Sequence, residues 1–141
     1  MGPRMIVADC NVLAYLVIPG QQTAIAKRVF ETDGRWSAPA LWRSEFLSVL
    51  ATYIRTGAFD LATAEEFMRV AEEIVSVLPA VSATEVLARS ARSGCSSYDC
   101  EYVAAAEIQQ VPLVTEDRKV LTAFPAVARS MEQFLATASR D

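Results

Sequence analysis

The sequence predicts an α/β fold, a three-layer α/β/α sandwich around a short, mainly parallel sheet. Three observations carry this. Met5-Ile-Val-Ala and Pro112-Leu-Val-Thr are short runs too apolar to leave one face in water. Short apolar strands alternate along the chain with segments of helical period, the pattern of parallel βαβ units. The apolar share is 52% of 141 residues, enough for one real core and too much for a disordered chain. With no repeats, low-complexity tracts or linkers, residues 1–141 read as a single domain. Met1–Arg4 reads as an extended start or an expression remnant.

In chain order, Met5-Ile-Val-Ala is the first strand and ends at Asp9-Cys10-Asn11. Val12 to Val17 reads as a short helix stopped by Pro19-Gly20. Gln22 to Thr32 reads as a second helix with Ile25, Val29 and Phe30 on one side. Asp33-Gly34 turns into the strand Trp36-Ser-Ala, closed by Pro39. A long helix follows from about Ala40 to Thr56, ended by Gly57, with Trp42, Phe46, Val49, Leu50 and Tyr53 as its core stripe. Leu61 to Val75 is the next helix and Ser76-Val-Leu-Pro begins as a brief strand. Ser82 and Glu85 form a capping-box pattern that opens a helix running to about Ser93, closed by Gly94. Ser97 to Gln109 reads as a helix whose apolar side is Tyr98, Tyr102, Ala105, Ala106 and Ile108. Pro112 stops it and starts the second buried strand. Asp117 to Leu121 is a short helix, Ala126 to Arg129 an edge strand, and Met131 to Ala138 a terminal helix.

Composition narrows the chemistry. The chain has no histidine, which excludes Ser-His-Asp and Cys-His devices and any His-ligated metal. Cys10, Cys95 and Cys100 are odd in number and lack C-x-x-C spacing, so they read as buried or half-buried thiols. Acid–base work must then come from carboxylates, Lys, Tyr, Cys or metal-bound water. A net charge of −4 argues against a general nucleic-acid coating role, which wants a basic face. It is compatible with a nuclease whose acids are neutralised by bound cations. No apolar run reaches the roughly 18 residues needed to span a bilayer, and Asp9 and Asn11 interrupt the apolar stretch after the start, so no signal peptide is read and the cytoplasm is expected.

Four acids fall at comparable addresses. Asp9 follows the first strand, Asp117 follows a later one, Asp99 opens a helix, and Glu45 flanks the apolar stripe of the long helix. Parallel topology brings strand ends and helix starts to one edge of the sheet, where ligands bind in open α/β folds. Each acid also has a plain reading. Asp9 and Asp117 fit helix caps, Asp99 a box opened by Ser96, and Glu45 a surface acid beside Arg43 or Ser48. Together, four crowded carboxylates would raise one another's pKa values unless they hold one or two hard divalent cations. Such ions activate water for in-line attack on phosphorus, chemistry that needs no histidine. Asn11 and Thr115 suit orientation of those ligands, or equally helix-start and strand-end hydrogen bonding.

The motifs IVADCNVLAYL, WRSEFLSVL, SSYDCEYVAAA and LVTEDRKVL, in that order over Met5 to Leu121, resemble the PIN-domain ribonucleases. Within them the chain is most similar to VapC-type toxins of toxin–antitoxin modules. The resemblance carries the family's acids onto Asp9, Glu45, Asp99 and Asp117 as catalytic metal ligands, with Asn11 and Thr115 as polar companions. It implies a Mg²⁺- or Mn²⁺-dependent endoribonuclease acting on RNA. It also implies inhibition by a cognate VapB-like antitoxin, and a homodimer. Glu116 competes with Asp117 as ligand, and strand alternation favours Asp117, in register with Thr115.

Arg43, Arg89, Arg92, Arg118 and Lys119 are candidates for phosphate contact, with solvated surface charge the plain reading for most of them. Arg118 and Lys119 stand out because they begin a helix beside Asp117. The apolar faces of residues 22–30 and 61–75 are candidates for a partner-helix groove or for ordinary core. The rivals are an inactive PIN-like interaction module, an aspartyl-nucleophile phosphotransferase using Asp9, and a receiver domain. Asn11 stands where the phosphotransferase wants a second Asp, and the acids come in the wrong order for a receiver domain.

Overall fold

The computed structural model describes residues 5–138; the expected Met1–Arg4 extension lies outside them. The elements are β1 (Met5–Ala8), α1 (Cys10–Val17), α2 (Thr23–Thr32), β2 (Arg35–Ala38), α3 (Trp42–Arg55), α4 (Leu61–Ile74) and β3 (Val75–Val77). They continue with α5 (Ala83–Ser93), α6 (Ser97–Gln109), β4 (Leu113–Val114), α7 (Arg118–Ala123), β5 (Ala128–Arg129) and α8 (Met131–Ala138).

The strands form one sheet in the order β3-β2-β1-β4-β5, and every pairing is parallel. Its central strands are dry on both faces: Ile6, Val7, Leu113 and Val114 are all at most 1% exposed. That is the burial a parallel sheet requires and the reason these runs do not alternate. Val7 lies opposite Leu113 and Ala8 opposite Val114, so Asp9 and Thr115 leave the sheet at the same level. The Asp9 N–H donates to the Val114 carbonyl at 3.0 Å and holds the first of them there.

Helices fall into two groups. α5 packs on α6, which lies against β1 and β4, while α1 meets α2, α3 and α4, and α2 meets α8. Their boundaries follow local chemistry. Ser82 Oγ accepts from the Glu85 N–H, and Gly94 ends α5 in the left-handed region at φ 74°. α6 stops without a glycine: Gln110 takes φ 57°, and its N–H reaches the Ala106 and Glu107 carbonyls. Ser37 is buried in β2 and donates to the Ile6 carbonyl at 2.8 Å, tying β2 to β1.

Three expected core positions are corrected. Tyr98 and Ile108 on α6 are 62% and 54% exposed, while Cys100, Tyr102, Val103, Ala104, Ala105 and Ala106 are buried. The small residues at 104–106 let the sheet and α5 approach the helix closely, so its buried arc is centred on them rather than on the larger side chains. Tyr53 is 41% exposed in the last turn of α3 and packs instead on Phe59, ring centroids 5.3 Å apart. The faces over 22–30 and 61–75 are largely absorbed by core packing through Ile25, Phe30, Phe67, Val70 and Ile74. Leu61 remains exposed. Among the described residues no helix is long and apolar enough to cross a membrane.

Candidate active site

From β1 the chain crosses to β2 on one side and later to β4 on the other. The crevice beyond the carboxyl ends of β1 and β4 is therefore the topological switch point, the usual ligand position in such sheets. Asp9 follows β1, and Thr115 and Asp117 follow β4. A helix that feeds a parallel strand must run back from this edge, so α6, which precedes β4, begins here and carries Asp99 in its first turn. α3 starts just past the end of β2 and carries Glu45 in its first turn.

Hydrogen bonds fix these groups. Asp9 is buried; its Oδ1 accepts from the Cys10 N–H at 2.7 Å and its Oδ2 from Thr115 Oγ1 at 2.7 Å. The same Thr115 Oγ1 accepts from the Asp117 N–H at 3.0 Å, so one hydroxyl links the two strand-end acids. Asp117 Oδ1 accepts from the Lys119 and Val120 N–H groups at 2.9 and 3.3 Å. Tyr102, 1% exposed, donates to Glu45 Oε1 at 2.7 Å across the space between α6 and α3. The Asp99 N–H donates to Ser96 Oγ at 3.1 Å. Asp9 and Asp117 do cap α1 and α7, as the plain reading has it, and the caps converge on one crevice.

Electrostatics set these acids apart. Burial is the main force raising Asp9, opposed by the Thr115 and Cys10 hydrogen bonds and reinforced by Asp99 and Asp117. Burial also raises Glu45, with Tyr102 opposing and Asp9, Asp99 and Glu101 reinforcing. Asp99 is raised by burial and by Asp117, with Ser96 and Lys119 opposing. The four carboxylates thus feel one another, and among the described residues none forms an ion pair. The buried Cys10 thiol is pushed up to about 12 by burial and the charges of Glu45 and Asp9, which leaves it a protonated, inert neighbour.

Among the described residues no three acids or cysteines close into a ready-made metal cage. The donor chemistry nonetheless fits a hard divalent cation: four carboxylates, no nitrogen ligand, and Asn11 Oδ1 beside Asp9, buried without a hydrogen-bond partner. An orphaned buried oxygen costs about 1–3 kcal/mol unless something satisfies it, and a cation or its water would.

The structure therefore brings Asp9, Glu45, Asp99, Asp117, Asn11 and Thr115 together. Glu116 turns away, accepting from the Met131 N–H and feeling Glu132. Arg118 and Lys119 sit on α7 just past Asp117, whereas Arg43 is exposed on α3. Arg89 is consumed by Glu85 and Glu107, at 2.6 and 3.3 Å. Sequence reasoning passed over Tyr102, which it placed among apolar core residues, and Glu101. The available signal was the i,i+3 spacing from Asp99 to Tyr102, which puts both on one face of α6.

Residues 6–129 match the family model of the PIN domain. The chain belongs to the PIN domain family. Such domains are typically metal-dependent nucleases. The PIN fold is also seen in two solved structures. PAE2754 from Pyrobaculum aerophilum superposes with a TM-score of 0.78 at 24% identity, covering 100% of both chains. A chain of a toxin–antitoxin complex from Klebsiella pneumoniae superposes with a TM-score of 0.65 at 14% identity, covering 89% of this chain and 97% of that one. No curated protein matches the chain in sequence. A cavity of about 970 Å³ opens at the amino ends of the strands, lined by Met5, Pro112 and Val127 but by none of the four acids. The four acids lie at the opposite edge of the sheet.

Proposed function

We propose that this PIN domain is a cytoplasmic Mg²⁺- or Mn²⁺-dependent endoribonuclease, the toxin of a type II toxin–antitoxin pair. It works as a homodimer silenced by a cognate antitoxin. The observation that carries the nuclease reading is the convergence of four carboxylates on the switch point with no ion pair among the described residues, two of them joined through Thr115. The toxin reading draws on the likeness to the Klebsiella pneumoniae complex.

Asp9, Glu45, Asp99 and Asp117 would hold the cation, with Asn11 Oδ1 available to it or to its water. Once bound, the ion supplies an activated water and neutralises charge building at phosphorus. The remaining work belongs to the chain. Cys10 N–H and Thr115 Oγ1 hold both oxygens of Asp9 in one orientation, and Tyr102 fixes one oxygen of Glu45. These contacts favour the ionised carboxylates against the burial that opposes them. No imidazole serves as general acid or base, since the chain has no histidine.

The test is cleavage of a structured RNA pool with Mg²⁺ or Mn²⁺ against EDTA, comparing wild type with Asp9→Ala and Asp99→Ala. Expected is cleavage by wild type alone, and only with metal; cleavage in EDTA, or by both variants, would sink the reading. Growth arrest on expression, relieved by co-expression of a neighbouring small reading frame, would separate a toxin from a housekeeping nuclease.

A further inference from the structure

Beside the acids lies a shallow groove of about 700 Å³, lined by Arg92, Ser93, Arg118, Lys119, Thr122 and Ala123. It runs between the last turn of α5 and α7. Three of its six lining residues are cations, none is an acid, and all three cations are exposed. Among the described residues none of these cations pairs with a carboxylate. The contrast with Arg89, three residues earlier on α5 and held by two glutamates, is direct. In a chain of net charge −4, three unpaired cations in one groove repel one another and are most stable with an anion between them.

Arg92 is also steadied, its guanidinium carbon 5.6 Å from the centroid of the Phe124 ring. Ser93 Oγ is spent on the Arg89 carbonyl and the Cys95 N–H, so Thr122 is the hydroxyl left to donate. The groove adjoins the acid cluster: Asp117 caps the helix that carries Arg118 and Lys119, and the Lys119 charge opposes the rise of Asp99.

We infer that this groove holds the single-stranded RNA substrate by non-scissile phosphates on the Asp99–Asp117 side of the cluster, through Arg92, Arg118 and Lys119. The inference rests on the nuclease reading and adds to it where the strand runs and that Arg92 is a contact. An open basic groove tracks a phosphate backbone and is sequence-tolerant, and phosphate contacts set position rather than specificity. The alternative is that the three cations merely balance the acids next to them.

The test measures binding of a fluorescein-labelled, mixed-sequence single-stranded RNA in EDTA, over a range of salt concentrations, for wild type, Arg92→Gln, Lys119→Gln and Arg69→Gln. The last removes an exposed cation on α4, paired with Glu66 and Glu73, as a control. Each groove variant is expected to weaken binding about fivefold or more and to flatten the log–log salt slope by about 0.7, the value of one phosphate contact on a single strand. Arg69→Gln should leave both unchanged. With Mg²⁺ or Mn²⁺ present, the groove variants should raise KM more than they lower kcat. Wild type that does not bind RNA, or groove variants that bind as Arg69→Gln does, would overturn the groove. The two readings fail separately. Cleavage by wild type with unaffected binding in the variants removes the groove and keeps the nuclease; lost binding in the variants with no cleavage by wild type does the reverse.

Discussion

Two sets of carboxylates in this domain have the same chemistry and opposite circumstances. On α4, Arg69 lies between Glu66 and Glu73, with all three side chains at least half exposed. Water solvates these charges, and each pair is worth about 0–1 kcal/mol. At the carboxyl edge, Asp9, Glu45 and Asp99 are drawn out of water beside one another, and their ionised forms are disfavoured. Acid content does not distinguish the two regions. What distinguishes them is burial without an ion pair, with Lys119 only partly opposing the rise of Asp99, an arrangement that destabilises the bare protein and that a bound cation would relieve.

The largest test of that contrast is charge removal in each region. Asp99→Asn is expected to lower metal-dependent RNA cleavage about a hundredfold or more, the order found when one charge-stabilising group is lost. Glu66→Gln should stay within about twofold, and equal losses would erase the distinction. Next comes the hydroxyl that links Asp9 to Asp117. Thr115→Val keeps the shape but leaves Asp9 Oδ2 and the Asp117 N–H unpaired. A stability loss of about 1–3 kcal/mol by urea melts is expected, together with a roughly 10–100-fold weaker Mn²⁺ affinity by calorimetry.

Tyr102→Phe tests the equivalent support for Glu45. It removes one hydroxyl from a buried ring, so the fold should persist in circular dichroism while Mn²⁺ affinity falls about tenfold. An unchanged affinity would make the contact purely structural.

pH separates the regions in a further way. Asp9, Glu45 and Asp99 are raised in the folded state above their unfolded values, so the folded protein binds more protons between those two values. Stability of the metal-free protein should fall as pH climbs from the ordinary carboxylate range, about 4, through the raised values, with the full penalty above them. Glu45→Gln should therefore gain thermal stability over wild type as pH rises through that window. Gln can still accept from Tyr102, so the gain reports the charge. The smallest effect belongs to α4, where Arg69→Gln is expected to cost under about 1 kcal/mol.

Much of the fold is legible in local signals. Helix 97–109 is readable to the residue because a serine cap and Pro112 bracket it, and the start of the last helix at Met131 is read from its apolar period. Strand extents are less so. Pro112-Leu-Val-Thr and Ala126 to Arg129 shrink to two paired residues each, because ladder pairing depends on the neighbouring strand. Tyr98, Ile108 and Tyr53 look like core from periodicity, yet stay exposed because helical period says which residues share a face and not which face meets the sheet.

By itself, the sequence determined the α/β class, the parallel sheet, the absence of histidine chemistry, three acids at strand ends and a helix start, and Glu45 on the flank of the long helix's apolar stripe. These depend on residues within a turn or two of one another, where caps, breakers and apolar runs act. Only the tertiary structure decided that β1 lies between β2 and β4, which makes the crevice after Asp9 and Thr115 the switch point. It also decided that Thr115 joins Asp9 to Asp117, that Tyr102 reaches Glu45 and that Glu116 turns to Met131. Arg89 is paired and Arg92 is not for the same reason. The Thr115–Asp9, Tyr102–Glu45, Glu116–Met131 and Arg89–Glu107 contacts join parts of the chain far apart in sequence, set by strand order and helix packing, and no local pattern encodes them.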